Sequence, residues 1–235
     1  MKNTISLNFD TNRIMRKNLS HFIIPLFTLM VPAACSGPSA NQSVTNSIST
    51  TKNLSPTKTN VDTADIAEIR TLIRNMLKWT DGKINVDLLP TTIKDSICTG
   101  FDMAKVNEAA QKMKATGFFA DEFIDNYKHI MQTLDKKIKN KVYGNWNGEE
   151  IPPFAFDSDA NPWCSCQDNM SWDNVDVEVV KLDTDKGELR WNWGKLDPGT
   201  DPSWKESATP FRVVKVNAQW KISYLWGFDY KESTK

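Results

Sequence analysis

Val175-Asp-Val-Glu-Val-Val-Lys-Leu-Asp-Thr-Asp-Lys-Gly-Glu-Leu-Arg-Trp-Asn-Trp193 is the stretch in which the apolar period of this chain changes. Val175, Val177 and Val179 alternate with polar residues, Asp183 to Gly187 has turn composition, and Leu189, Trp191 and Trp193 alternate with Glu188, Arg190 and Asn192. A period of two marks strands with one buried face. After a Pro/Gly/Asp/Ser loop over residues 196–208, Phe211–Val216 and Gln219–Trp226 flank Asn217-Ala218 and read as a hairpin. Trp220, Ile222, Tyr224 and Trp226 are expected on one buried face of the last strand.

Upstream the period is helical. Asp62 or Thr63 can cap a helix whose inward positions are Ile66, Ile69, Ile73, Met76 and Leu77, ended by Asp81-Gly82. Residues 83–101 are mixed, with room for a short helical turn. Asp102 can cap a second helix with Met103, Val106, Ala110 and Met113 inward, stopped near Gly117. From Ala120 to Lys139 the residues Phe123, Ile124, Tyr127, Ile130, Met131, Leu134 and Ile138 form one stripe, the strongest helical signal in the chain. Helices first and antiparallel strands last give an α+β fold with helices on one face of a sheet.

The N-terminus reads as an address. Residues 22–31 (FIIPLFTLMV) are too few to span a hydrocarbon core, which needs about 20. They have the length of a signal-peptide core, preceded by Arg16 and Lys17 and followed by Ala33 and Ala34. The small residues before Cys35 resemble the lipobox of bacterial lipoproteins, with Pro32 standing where that family usually has an aliphatic residue. The resemblance implies cleavage before Cys35, a lipid on its thiol and a membrane as partner. It also implies a cell-envelope location facing the periplasm or exterior. Residues 1–14 are long and polar for a signal, and a start at Met15 would give one of usual proportions. Residues 35–60 are Ser, Thr, Asn, Pro and Lys with almost nothing to bury, the composition of a tether. The expected organisation is signal over 1–34, lipidated cysteine and tether over 35–60, and one domain over 61–235.

The formal net charge of zero divides unevenly. Six of the 29 basic residues and one of the 29 acidic residues precede residue 61, so the domain carries about −5. Nucleic-acid binding needs a basic face, and no recognition motif appears.

Asn161-Pro-Trp-Cys-Ser-Cys-Gln-Asp168, together with Gln219-Trp-Lys-Ile-Ser-Tyr224, resembles a family of uncharacterised exported bacterial domains. Those carry an Asp-Pro-aromatic-x-Cys-Ala-Gln-Asp-like stretch after a helix, then four strands ending in Trp-Lys-Ile. The resemblance spans roughly residues 62–228 and implies a nuclear transport factor 2-like, or cystatin-like, roll with a cone-shaped cavity. Ser165 stands where the family has a small residue such as Ala, and Cys164 is an addition. The family has no known activity, and fold alone does not choose between binding module and enzyme.

With Cys35 lipidated, three cysteines remain. Cys164 and Cys166 are expected to face apart on a strand, so Cys98 is expected to bond to one of them. Such a loop would contribute about 3–4 kcal/mol through unfolded-state entropy; buried free thiols are the next reading, and a Cys-x-Cys redox or metal role is the smallest. His129 is the one histidine of the domain, and zinc spacing is absent. It reads as a surface residue or a partner of Asp125 four positions before it. Asp157-Ser-Asp-Ala-Asn161 has the opening of a calcium loop, with Asp168 at the twelfth position. Pro162 at the sixth position cannot make the required turn, so an Asx-rich turn is the better reading. No cofactor is implied.

Nine tryptophans fall between Trp79 and Trp226. Those on strands are expected in the core. Trp163 and Trp204, in loop-like segments, are the candidates for exposed ligand contact, with Asp157, Asp159 and Asp168 at a pocket mouth. The reading favoured is a non-catalytic envelope lipoprotein that binds a small ligand, a glycan or an envelope protein. The alternative is an enzyme of the same roll using a carboxylate raised in pKa by burial, facing a pocket with Tyr127 or Tyr224.

Overall fold

In the computed structural model, the described residues are 63–82, 86–148, 150–158 and 160–235. The expected signal over 1–34, Cys35, the expected tether over 35–60, Asp62 and Asp159 lie outside them. The described chain is α+β: helices α1 (Thr63–Thr80), α2 (Met103–Ala115), α3 (Asp121–Lys139) and α4 (Tyr230–Ser233) with two antiparallel sheets. One sheet is the hairpin β1 (Thr91–Lys94) and β2 (Ile97–Phe101). The other is a meander in the order β3 (Val175–Leu182), β4 (Lys186–Trp193), β5 (Ala208–Val216), β6 (Gln219–Leu225).

The helices form for the reasons their sequences give. Asp102 caps α2, its carboxylate accepting from the amides of Ala104 and Lys105. The α3 stripe is buried along its whole length, from Phe123 to Ile138. In α1, Ile69, Ile73, Met76 and Leu77 are buried and Ile66 is half-buried. Asp65 in the first turn of α1 accepts from Lys215 Nζ (2.7 Å) and Trp220 Nε1 (2.8 Å), tying the helix start to β5 and β6. These bonds hold its carboxyl below the usual range. α1 packs against β3 and β6, and α3 packs against β2, β6 and α2.

The segment 83–101 departs from expectation, because the hairpin β1–β2 stands where at most a helical turn was foreseen. The turn residues Asp95 (φ 50°) and Ser96 (φ 64°) are both left-handed, the conformation that joins two strands through a two-residue loop. Thr91, Thr92, Ile93 and Ile97, all β-branched, flank that turn and were the available signal. Gly100 (φ 144°) sits in β2 because a Cβ there would lie 2.5 Å from Asp135 Oδ1. That carboxylate instead accepts from the Phe101 amide at 2.9 Å.

The last strand also departs from strict alternation. Phe211 pairs with Leu225 and Val213 with Ile222, so an extra residue enters β6 at Ser223–Tyr224. Trp220 and Ile222 face the core, Leu225 takes over the inward role, and Trp226 leaves the strand as the first residue of a 3₁₀ turn. The expectation that Trp226 is buried is therefore corrected: it is 48% exposed. A second shift, at Val180 in β3, puts that valine on the surface. The free edge of β6 is covered by Phe118–Ala120, which exchanges backbone hydrogen bonds with Ile222 on both sides.

Candidate functional site

Between α3 and β3 the chain runs from Asn140 to Ser171 with no helix or strand among the described residues, yet it carries much of the core. Trp146, Phe154, Phe156 and Trp163 are all buried. Trp146 stacks edge-on against Phe154 (5.5 Å), and its carbonyl accepts from Cys98 N at 2.8 Å, extending the hairpin sheet into the loop. Phe156 packs on Phe228 at 5.4 Å. Trp163 sits among Phe228 (4.8 Å), Trp79 (5.6 Å), Phe119 (5.7 Å) and Phe123 (6.4 Å), an aromatic cluster joining α1, α3 and the C-terminal turn.

This segment, the end of α1 and the strip Val86–Leu88 line an open cleft of about 670 Å³. Trp79 and Trp163 belong to its apolar part, with Val86, Leu88 and Pro162, and Asp87, Asp157, Asn161 and Gln167 contribute polar groups. Asp87 and Asn161 are held locally. Asp87 accepts from Leu89 N (3.1 Å) in an Asx turn, and Tyr127 Oη donates to Leu88 O (3.2 Å), pinning that strip to α3. Asn161 Oδ1 accepts from Trp163 N (3.0 Å), and Asn161 O accepts from Ser165 N (2.7 Å) and Cys164 N (3.3 Å). Pro162 lies against Gly227, where a Cβ would come 2.1 Å from the Pro162 carbonyl oxygen. Trp172 Nε1 donates to Asp81, which fixes the other flank of the α1 terminus.

Asp157 adopts a left-handed backbone (φ 55°) and faces solvent on one side. Its protein-walled side, with a smaller contribution from the Asp87 carboxylate, pushes its pKa up to about 6. A polar rim of two carboxylates and two amides over tryptophan rings can accept and donate several hydrogen bonds to a hydroxyl-bearing ligand while stacking on its apolar face.

The cleft unites Asp157, Trp163 and Cys166 from the sequence-based candidates and leaves others apart. Asp168 is exposed and does not line it. Trp204 lies in a 3₁₀ turn (Pro202–Glu206), half-buried against Trp193 at 6.3 Å. Trp163 is corrected from an exposed contact to a floor residue only 7% exposed, because the loop folds inward and uses its ring as core. The contributions of Trp79 and Asp87 were not foreseen; Trp79 sits past the last inward position of the α1 stripe, and Asp87 has no periodic pattern around it.

The disulfide expectation is also corrected. Cys164 and Cys166 are bonded to each other, and Cys98 is a buried free thiol in β2. Residues two apart on a strand share a face, so orientation was never the obstacle. The segment is moreover a turn: Ser165 is left-handed (φ 54°), which brings the two Cα atoms to 5.1 Å. A loop closed around one residue removes only about 1.6 kcal/mol of unfolded-state entropy, against roughly 4 for the long loop expected.

Elsewhere, His129 is exposed and stacks on Tyr230 (4.6 Å), while Asp125 pairs with Lys128 instead. Neither tyrosine proposed as a catalytic neighbour lines the cleft with Asp157. Tyr127 is fully buried, and burial drives its hydroxyl well above the ordinary range. Tyr224 borders a separate charged cleft of about 630 Å³ with Lys181, Lys186, Glu188 and Arg212. Its hydroxyl donates to Asp229 Oδ2 (3.0 Å), and burial together with that carboxylate pushes it up to about 12. Among the described residues, no group of three or more His, Cys, Asp or Glu side chains is placed to hold a metal ion, and no helix is long and apolar enough to cross a membrane. No family model, no curated protein and no solved structure matches this chain.

Proposed function

We propose that this chain is a bacterial envelope lipoprotein, anchored through Cys35, whose domain is a non-catalytic module binding a small hydroxyl-rich ligand, a sugar being the leading class. The observation that carries the binding reading is the cleft in which Trp79 and Trp163 meet Asp87, Asp157, Asn161 and Gln167. Aromatic rings under a rim of carboxylates and amides suit a ligand with one apolar face and many hydroxyls. The address rests on the sequence alone: an apolar run, small residues, then Cys35 and a polar tether. For the domain we favour a cystatin-like roll. The support is a four-stranded meander with α1 and α3 on it. The separate β1–β2 hairpin is its least roll-like feature.

Asp157 supports a second reading, an enzyme of the same roll. A carboxyl with a pKa near 6 in a cleft can exchange a proton near neutrality. Among the described residues the cleft surrounds it with carboxylate and amide groups suited to hydrogen bonding, and on that ground we favour binding over turnover.

The test is the mass of the full chain extracted from its own membranes in mild detergent, first denatured and then native. The reading expects a chain beginning at an acylated Cys35 and a noncovalent adduct that Trp79→Ala loses. A mass beginning elsewhere without lipid would remove the anchor. An adduct equally retained by Trp79→Ala would place the ligand outside this cleft.

A further inference from the structure

We propose that Cys164–Cys166 is a thiol–disulfide exchange site, opened by attack of a small-molecule thiol on Cys166 through the cleft. The bond is a poor staple, because it closes a loop around the single residue Ser165. Its two sulfurs stand in different surroundings. Cys164 is only 2% exposed, whereas Cys166 is half-buried and lines the cleft wall. Access therefore selects Cys166 as the attacked atom and Cys164 as the leaving group.

The surroundings also accept the reduced state. Cys164 Sγ lies 3.7 Å from the carbonyl oxygens of Asn161 and Cys166. In the disulfide this sulfur has no proton to donate. After reduction its S–H can donate to either oxygen, so a buried thiol is not stranded. Ser165 is held left-handed with a buried hydroxyl that makes no hydrogen bond among the described residues. Opening the loop frees that residue to relax.

The chemistry balances in two displacements. A thiolate R–S⁻ attacks Cys166 Sγ, forming the mixed disulfide R–S–S–Cys166; the electron pair of the broken bond passes to Cys164 Sγ, which takes one proton. A second thiolate then attacks the R sulfur, releasing R–S–S–R and the Cys166 thiolate. Two thiols are oxidised and one disulfide is reduced. Cys98 takes no part, since it is buried in β2 with its Sγ against Gly100 O (3.5 Å), and burial raises its thiol pKa.

The test equilibrates the folded full chain in a series of reduced and oxidised glutathione mixtures, quenches with acid, alkylates, and reads the peptide spanning 164–166 by mass. The proposal expects this peptide to pass from bonded to dithiol within the series. Indole emission should rise as the quenching disulfide beside Trp163 disappears, and far-ultraviolet circular dichroism should stay constant. A bond that survives the most reducing mixture, or opens only as the protein unfolds, overturns the proposal. Direction is read separately. Cys164→Ser should take up one glutathione on Cys166 at least about ten times faster than Cys166→Ser does on Cys164, and equal or reversed rates contradict the assigned polarity. If either variant does not fold, the titration of the unaltered chain still decides.

Discussion

Helix α3 and the segment from Asn140 to Ser171 both insert large aromatic side chains into one core, but they do so by different means. In α3 the placement is periodic: one face of a regular helix meets the hairpin, α2 and β6. In the irregular segment each anchor has its own device. Trp146 is held by pairing to β2, Phe156 and Trp163 by ring contacts, and the Pro162 turn by the bare backbone of Gly227. The irregular region supplies most of the cleft lining, the disulfide and the carboxylate whose pKa is raised. A binding surface built this way can have a distinctive shape without a distinctive period in sequence.

The comparison breaks most visibly if the two regions do not unfold together. Phe123→Ala should cost about 3–5 kcal/mol, and Trp163→Ala should cost the same, as expected for deleting a buried aromatic ring. Urea unfolding followed by circular dichroism and by indole emission should show one coincident transition for each. A Trp163→Ala protein with an unchanged midpoint would show that the irregular segment is an appendage of the core.

Gly227→Ala comes next. The added methyl meets the Pro162 backbone instead of a flexible side-chain end, so the turn must shift. A loss of about 1–3 kcal/mol is expected, together with weakened ligand retention in the cleft. An unchanged stability with a native cleft would mean that the contact is slack. Asp102→Ala probes the regular region on its own terms. Loss of the α2 cap should cost about 0.5–2 kcal/mol in the same urea assay and leave ligand retention intact.

The smallest effect concerns Asp157. Its folded pKa lies above the ordinary carboxyl value, so the folded state holds its proton more tightly than the unfolded chain. This contribution favours folding at low pH and fades as pH rises from about 4 to 6. Asp157→Asn removes that dependence and should be the more stable protein above pH 6, by less than about 1 kcal/mol given its exposed side. Thermal unfolding of both proteins between pH 4 and 7 measures it. Curves that run parallel across that range would contradict the raised pKa. Asp65 runs the opposite way: its pKa is lowered, so its bonds to Lys215 and Trp220 stabilise above the ordinary carboxyl range and are lost as pH falls through the folded value.

These cases also show what the sequence could and could not convey. The seven inward residues of α3, the Asp102 cap and the alternation in β4 were legible because each rests on a local rule. The two strand shifts were not, since one extra residue at Val180 or Ser223–Tyr224 leaves no mark in composition but reverses which side chains face inward. That is why Trp226 was assigned to the core and is at the surface. The Asn161–Asp168 motif carries a resemblance to a family of exported domains, yet its inner geometry depends on a left-handed Ser165 that no periodicity announces. Asp157 and Trp163 were marked as candidates from residue type. Their meeting with Trp79 and Asp87 required a tertiary contact between segments some 75 residues apart.

The central claim is that the irregular segment, with the end of α1, forms a binding site for a hydroxyl-rich ligand. The most direct measurement is a nuclear magnetic resonance titration of the domain with a panel of soluble envelope-derived oligosaccharides. The account predicts shifts confined to the indole N–H signals of Trp79 and Trp163 and the side-chain amides of Asn161 and Gln167. No shifts with any member of the panel, or shifts centred instead on Arg212 and Tyr224, would contradict it.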